Sequence, residues 1–366
     1  MTDTSSHDDA RQLLNAVADL PQSDAKLRQL ERVVQLADAD HDLETGLDAR
    51  LTLIRTAVAL EQSDKRIVAY LWCLGLYERE PERFRDSKRM FHFLWWFKGL
   101  SGDMFEFPRI SLDEIDKAHQ RMQRVYEQRG LSLGPLWGAK FTLAMNLGDI
   151  DQMREHRRRW QDSTRTILDD CAACILLDDV RFGVHEGRLD EAIDEAEPLL
   201  TGRVACGGGH SVQSAVSNTL RPMIHTGRHD EAEKWGGRGY RLLRRPATDL
   251  YDAAAVLAYA ANRDDRSKGL SIVERFLNLA LHPPSPDQQL RFYLAAAGLM
   301  RKIADTGRRR KMRLPRAFPL YDESAMYQPS ELADWFDAQS RPLIEQFDRR
   351  NGNDYYSRVV PTLYAY

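Results

Sequence analysis

Short polar turns return along this chain at an interval of about 40 residues, and that spacing constrains the fold more than any other feature. Gln22-Ser23-Asp24 recurs as Gln62-Ser63-Asp64, and Ser101-Gly102-Asp103 follows at a similar distance. Leu147-Gly148-Asp149, Glu186-Gly187-Arg188, Thr226-Gly227-Arg228 and Asn262-Arg263-Asp264 continue the series. Such an interval holds two helices and two connections, and self-similarity at that period marks stacked supersecondary units. Between the turns, apolar residues recur at three and four, as in Leu27, Leu30, Val33, Val34 and Ala37. Alternating Val/Ile runs between hairpin turns are scarce, so strands are not expected. The pattern predicts amphipathic helices of roughly 12–18 residues.

The clearest repeat lies mid-chain. Residues 181–192 realign on 221–232 with Arg181/Arg221, His185/His225, Gly187/Gly227, Arg188/Arg228, Asp190/Asp230, Glu191/Glu231 and Ala192/Ala232 identical. A Gly can adopt positive φ and end a first helix. Asp and Glu then suit the first turn of a second helix, where the dipole favours negative charge. The Ala lets the two helices approach closely. On these residues the chain resembles the tetratricopeptide-repeat (TPR) family, specifically over 185–243 and loosely elsewhere. The family period is 34, so a spacing near 40 implies longer helices or loops. The resemblance implies an all-α fold, a right-handed α-solenoid of helix-turn-helix repeats. It also implies a non-enzymatic scaffold or regulator that holds a protein or peptide partner.

On this reading residues 1–305 form the array, 306–329 a basic, Pro-containing connection, and 330–366 capping helices and a tail. Ser330 is expected to cap the final helix behind Pro329, with Ser340 and Pro342 kinking or restarting it. The aromatic-rich stretch 91–107 (Phe91, Phe93, Trp95, Trp96, Phe97, Phe105, Phe107) reads as core or inter-repeat packing, with a peptide groove as the alternative.

Composition narrows the function classes. The formal net charge of −3 gives no global case for binding nucleic acid or an anionic membrane. There is no apolar run of about 18 residues, and Met1–Asp9 is polar and acidic, without the regions of a signal peptide. A cytoplasmic location with reduced thiols is therefore expected. The excess of Arg over Lys reads as compositional style and not as a binding signal.

Within that chain the cysteines stand out. Cys171-Ala-Ala-Cys174 is followed by Cys206-Gly-Gly-Gly-His210. A CxxC plus a second closely spaced pair is a usual structural zinc arrangement. The intervening stretch is long for a compact knuckle but close to one repeat of a solenoid. Each pair falls at the start of a first helix, and adjacent first helices lie side by side, so the pairs converge. Helix N-termini stabilise thiolates, and Gly207, Gly208 and Gly209 permit the bend that would turn His210 to the metal. Four protein ligands make the Zn2+ structural. The competing readings are ordinary thiols beside a flexible loop, or a redox pair, for which the βαβ context is missing. Cys73, in an apolar stretch, reads as a core thiol.

Arg181, His185, Arg221 and His225, with Asn218 one turn before Arg221, occupy helix faces at i, i+4 spacing. On a concave face they would form a cationic ladder for a carboxylate or phosphate, or else a solvated surface. Eight basic residues between Arg301 and Arg316 stand against only Asp305. They support the runner-up function, a regulator contacting nucleic acid through 301–316, although a solvated loop is the simpler reading. Arg157-Arg158-Arg159 reads as a solvated helix face. No G-x-S-x-G, P-loop, H-E-x-x-H or G-x-G-x-x-G motif occurs, so an enzyme is not expected.

Overall fold

A computed structural model describes residues 4–244 and 249–364. Met1–Asp3, Ala365 and Tyr366, which belong to the N-terminal and tail segments considered above, lie outside the described residues, as do residues 245–248. Helix accounts for 74% of the chain and strand for 1%, so the fold is all-α. The first half comprises α1 (Thr4–Ala18), α2 (Asp24–Ala39), α3 (Leu43–Ala59), α4 (Ser63–Arg79), α5 (Ser87–Phe105), α6 (Leu112–Gln128), α7 (Gly134–Leu147) and α8 (Ile150–Asp162). The second half comprises α9 (Ala172–His185), α10 (Leu189–Glu195), α11 (Glu197–Thr201), α12 (Ser211–His225), α13 (His229–Leu242), α14 (Leu250–Asn262), α15 (Arg266–Leu281) and α16 (Pro286–Ala304). After a loop bearing β1 (Arg310–Lys311) and β2 (Met326–Tyr327), α17 (Pro329–Asn351) and α18 (Tyr355–Arg358) follow.

Many helices, including those after the Ser23 and Asp149 turns, start where a side chain satisfies a free backbone N–H group, whereas those starting after Gln62, Arg188 and Arg228 have no such side-chain bond. Ser23, Asp42, Asp86, Ser111, Asp149, Asp249, Asp265 and Ser285 each accept a hydrogen bond from the backbone N–H three residues on. Each such cap stabilises its helix by about 1 kcal/mol. In the central repeat, Gly187 and Gly227 take φ of 77° and 74° between paired helices. Asp190, Glu191, Asp230 and Glu231 fall in the first turns of α10 and α13, as expected. Ala192 is fully buried, and a Cβ built on Gly183 of α9 would lie 3.1 Å from its own. The small residues therefore set the close approach of α9 and α10.

Consecutive helices pack on one another, and so do alternate ones: α3 on α5, α5 on α7, α7 on α9, α9 on α12, α12 on α14 and α14 on α16. This brings residues one repeat apart into contact. Two large apolar cores result, one built mainly from α1–α6 and one from α9–α17, with a smaller cluster around Phe141, Trp160 and Phe182 between them in sequence. The end of the chain does more than cover the last repeat. Phe347, Tyr356 and Val360 are buried in the N-terminal core, where Phe347 stacks on Tyr356 at 4.3 Å.

Four expectations are corrected. Ser101-Gly102-Asp103 is not a turn but lies inside α5, because Phe97, Leu100, Met104 and Phe105 bury a helix face that runs through it. The final helix has Pro329 at its first position, behind Gln328, so Ser330 is not the cap. It also runs through Pro342 uninterrupted, while the Ser340 hydroxyl bonds the Phe336 carbonyl. The 306–329 connection carries a short antiparallel ladder pairing Arg310 with Tyr327. The aromatic stretch itself packs as core: Phe93, Phe97, Phe105 and Phe107 are buried, and Phe93 stacks on Tyr70 and Tyr77.

Candidate functional site

Three cysteines that are distant in sequence meet at the head of α9 and α12. Cys171 is the residue preceding α9, Cys174 lies in its first turn, and Cys206 sits in the loop before α12. The Sγ atoms of Cys171 and Cys174 are 3.6 Å apart, and those of Cys174 and Cys206 are 3.7 Å apart. All three sulfurs fall within 4.8 Å of one another, a grouping that could hold a metal ion. A disulfide needs about 2.05 Å, so these are free thiols. Thiolates bound tetrahedrally to one zinc at about 2.3 Å would stand roughly 3.8 Å apart, close to the separations seen.

The local backbone suits anionic sulfur. Against the burial that would raise it, the Cys171 thiol is held below its ordinary value by backbone N–H groups of Cys174 and Ala173 and by the neighbouring thiols. Cys174 moves the other way, pushed up by burial and by the sulfurs of Cys206 and Cys171 crowding it. Such opposed shifts are what a shared set of like charges produces, and a cation resolves them. The Gly208 N–H points to the Cys206 sulfur at 3.4 Å, and the Cys206 N–H donates to the Ser211 hydroxyl. Of the three glycines, Gly209 alone takes positive φ, at 80°. His210 is exposed immediately before α12, near Cys206 across Gly208, and is not among the three residues whose ligand atoms already converge. Cys73 lies apart, fully buried, with its thiol pushed up to about 12 by burial.

The Arg/His ladder occupies α9 and α12 as its spacing requires. Arg181 reaches Asp178 at 3.4 Å; burial pushes the nearby Asp249 up to about 8 and Asp252 up to about 6, and Arg181 opposes both rises. His185 is exposed at the surface, and partial enclosure of its ring, with Arg181 and Arg291 alongside, lowers its imidazole. The Asn218 amide donates to the Ser214 carbonyl at 2.7 Å. His225 is exposed, its imidazole lowered by burial and by Arg221. Both histidines are thus at the surface with an arginine of their own helix beside them, and His185 has Arg291 nearby as well.

Sequence reasoning missed an interior polar centre. Asp287 accepts hydrogen bonds from the hydroxyls of Tyr251 and Tyr356 at 2.8 and 2.7 Å and from Arg291 at 2.9 Å. Glu106 accepts from Ser63 at 3.0 Å, and Arg66 is ion-paired with Asp103. Burial pushes Glu106 up to about 8, with Asp103 adding to the rise, and Glu61 up to about 7, with Asp249 adding. Only the i, i+4 pair Asp287/Arg291 left a sequence signal. The others come from separate helices, and no spacing rule joins them.

The basic run is partly tied down. Arg301 pairs with Asp337 at 2.5 Å and Arg309 with Asp322 at 3.4 Å, while Met312 and Leu314 are buried. Arg308, Lys311, Arg313 and Arg316 are exposed. Arg157 pairs with Asp179 at 2.7 Å, and Arg158 and Arg159 with Glu155 at 2.9 and 2.6 Å. Among the described residues no helix is long and apolar enough to cross a membrane. No protein-family signature, no curated protein and no solved structure matches this chain.

Proposed function

We propose that this chain is a non-enzymatic, TPR-like scaffold, a right-handed helical array whose central repeats are pinned by a structural Zn2+. Cys171, Cys174 and Cys206 supply three thiolates and His210 the fourth ligand. The observation that carries this reading is the convergence of three sulfurs from successive hairpins at tetrahedral separations. His210 stands on the same loop as Cys206, one helix position before α12, and a side-chain rotation suffices to bring an exposed imidazole to its neighbour. With four protein ligands the metal has no open position for substrate and serves to fix α9 against α12. The partner is a protein or peptide held on the inner face that carries Arg181, His185, Asn218, Arg221 and His225. The paired helices support this, since stacked repeats expose an extended surface of the kind that holds peptides.

Elemental analysis of the purified protein tests the metal. About one zinc per chain is expected, with loss of the metal in Cys171→Ser or Cys206→Ser and weakened retention in His210→Ala. Protein purified without chelator that contains no zinc, and is as heat-stable as zinc-supplemented protein, contradicts the reading.

A further inference from the structure

A recess of about 250 Å³ opens between α3, α4, α5 and α7, with Asp170, the residue before Cys171, at its rim. Its walls include Tyr70 and Trp96, and its polar end holds Arg66 and Asp103. Both charged pairs that line it are internally matched. Arg66 is ion-paired with Asp103, and Lys98 meets Asp170 at 2.8 Å. The lining therefore calls for no net charge in a ligand. It does offer hydrogen bonds, because a guanidinium carries five N–H donors and the Asp103 bond uses one nitrogen.

A second observation concerns the glycines of α5. Gly weakens a helix relative to Ala, so an interior helical Gly ordinarily answers to close packing. Gly102 does not: a Cβ built there would meet no atom within 4 Å. At Gly99 the nearest atom would be the Arg66 guanidinium at 3.6 Å, an ordinary contact. Both residues line the recess. What their missing side chains preserve is open volume.

We propose that this recess binds a small neutral ring with adjacent hydrogen-bond donor and acceptor groups, bounded by Trp96 and Tyr70 and bonded to the Arg66–Asp103 pair. An apolar cavity of about 150 Å³ takes benzene, so the volume here suits roughly ten non-hydrogen atoms. A single pyranose and a single nucleobase share that size and that donor–acceptor edge. Aromatic walls serve the faces of either ring. The site does not rest on the scaffold reading, although Asp170 joins its rim to the segment that carries Cys171.

The test uses full-length, zinc-loaded protein titrated with D-glucose and D-galactose in one arm and adenine and uracil in the other. Binding is followed by ligand-observed NMR and tryptophan fluorescence. Saturable binding by one arm identifies the source. Affinity should fall at least tenfold in Gly102→Leu, which fills the recess, and by a smaller factor in Gly102→Ala, which adds one methyl. Far-ultraviolet circular dichroism and zinc content establish that each variant is folded. If Gly102→Leu fails to fold, Gly102→Ala alone decides. Absence of binding tighter than about 10 mM in both arms, or binding unchanged in the folded variants, overturns the proposal.

Discussion

Arg350 Nη2 donates to the carbonyl oxygen of Phe105 at 3.0 Å, joining residues 245 positions apart. The same guanidinium reaches the carbonyls of Ile110 at 3.1 Å and Phe107 at 3.5 Å and lies 4.2 Å from the centre of the Phe105 ring. A cation at the C-terminal end of α5 satisfies the Phe105 carbonyl, which the helix leaves unpaired, and ties down the loop that follows it. Arg350→Ala should cost about 2–3 kcal/mol, the scale of charged hydrogen bonds lost from partly buried acceptors. Arg350→Lys should recover only part, since an ammonium cannot span the three carbonyls as a planar fork does. Urea unfolding of the three proteins checks this. Equal midpoints would mean that the C-terminal segment does not brace the first half of the array.

Gly148 and Tyr355 make a second tie between the same parts of the chain. Gly148 ends α7 with φ of 70°, and a Cβ there would lie 2.2 Å from the Tyr355 ring. Gly148→Ala should therefore destabilise by more than the 1 kcal/mol or so of a left-handed alanine alone. Adding Tyr355→Ala removes the steric part and leaves the backbone part. The double variant should be less destabilised than the sum of the singles, as a double-mutant cycle measures. Strict additivity would contradict the contact.

Glu106 makes stability depend on pH. Its carboxyl, ordinarily near 4.5, is pushed up to about 8 by burial, with Asp103 and Asp287 raising it and Arg66 and Ser285 opposing. Between those values the folded protein holds a proton that the unfolded chain has released, so stability falls as pH rises through that window. Glu61, about 7, and Asp103, about 6, act in the same direction. His119, buried and lowered to about 4 with burial as the chief cause, opposes them, adding stability as pH rises from about 4 to 6.5. Glu106→Gln keeps an acceptor for Ser63 and removes one ionisation. Its stability relative to the parent should improve between pH 6 and 9, as read by denaturant midpoints. A difference independent of pH would contradict the assignment.

The sequence was most legible where one local rule sufficed. The Gly187/Gly227 turns and the acidic first turns after them act within four residues, and the structure places them as read. Cys171, Cys174 and Cys206 were legible because a repeat near 40 residues aligns successive first helices. Ser101-Gly102-Asp103 misled because a Gly beside polar residues resembles a turn, whereas Phe97, Leu100, Met104 and Phe105 hold the segment in a helix by burial. Beyond the i, i+4 spacing of Asp287 and Arg291, the interior centre that adds Glu106 and Tyr356 had no signal, since its members come from α16, α18 and the end of α5 and only packing unites them. Arg350 likewise acts across the whole chain, beyond the reach of any periodicity.

The proposed zinc site is the central claim, and X-ray absorption at the zinc edge on purified protein tests it most directly. The prediction is a four-coordinate site with three sulfurs at about 2.3 Å and one nitrogen at about 2.0 Å. The nitrogen should disappear in His210→Ala and one sulfur in Cys206→Ser. Protein that carries no zinc, or zinc coordinated without sulfur, would contradict the claim that Cys171, Cys174, Cys206 and His210 pin α9 to α12.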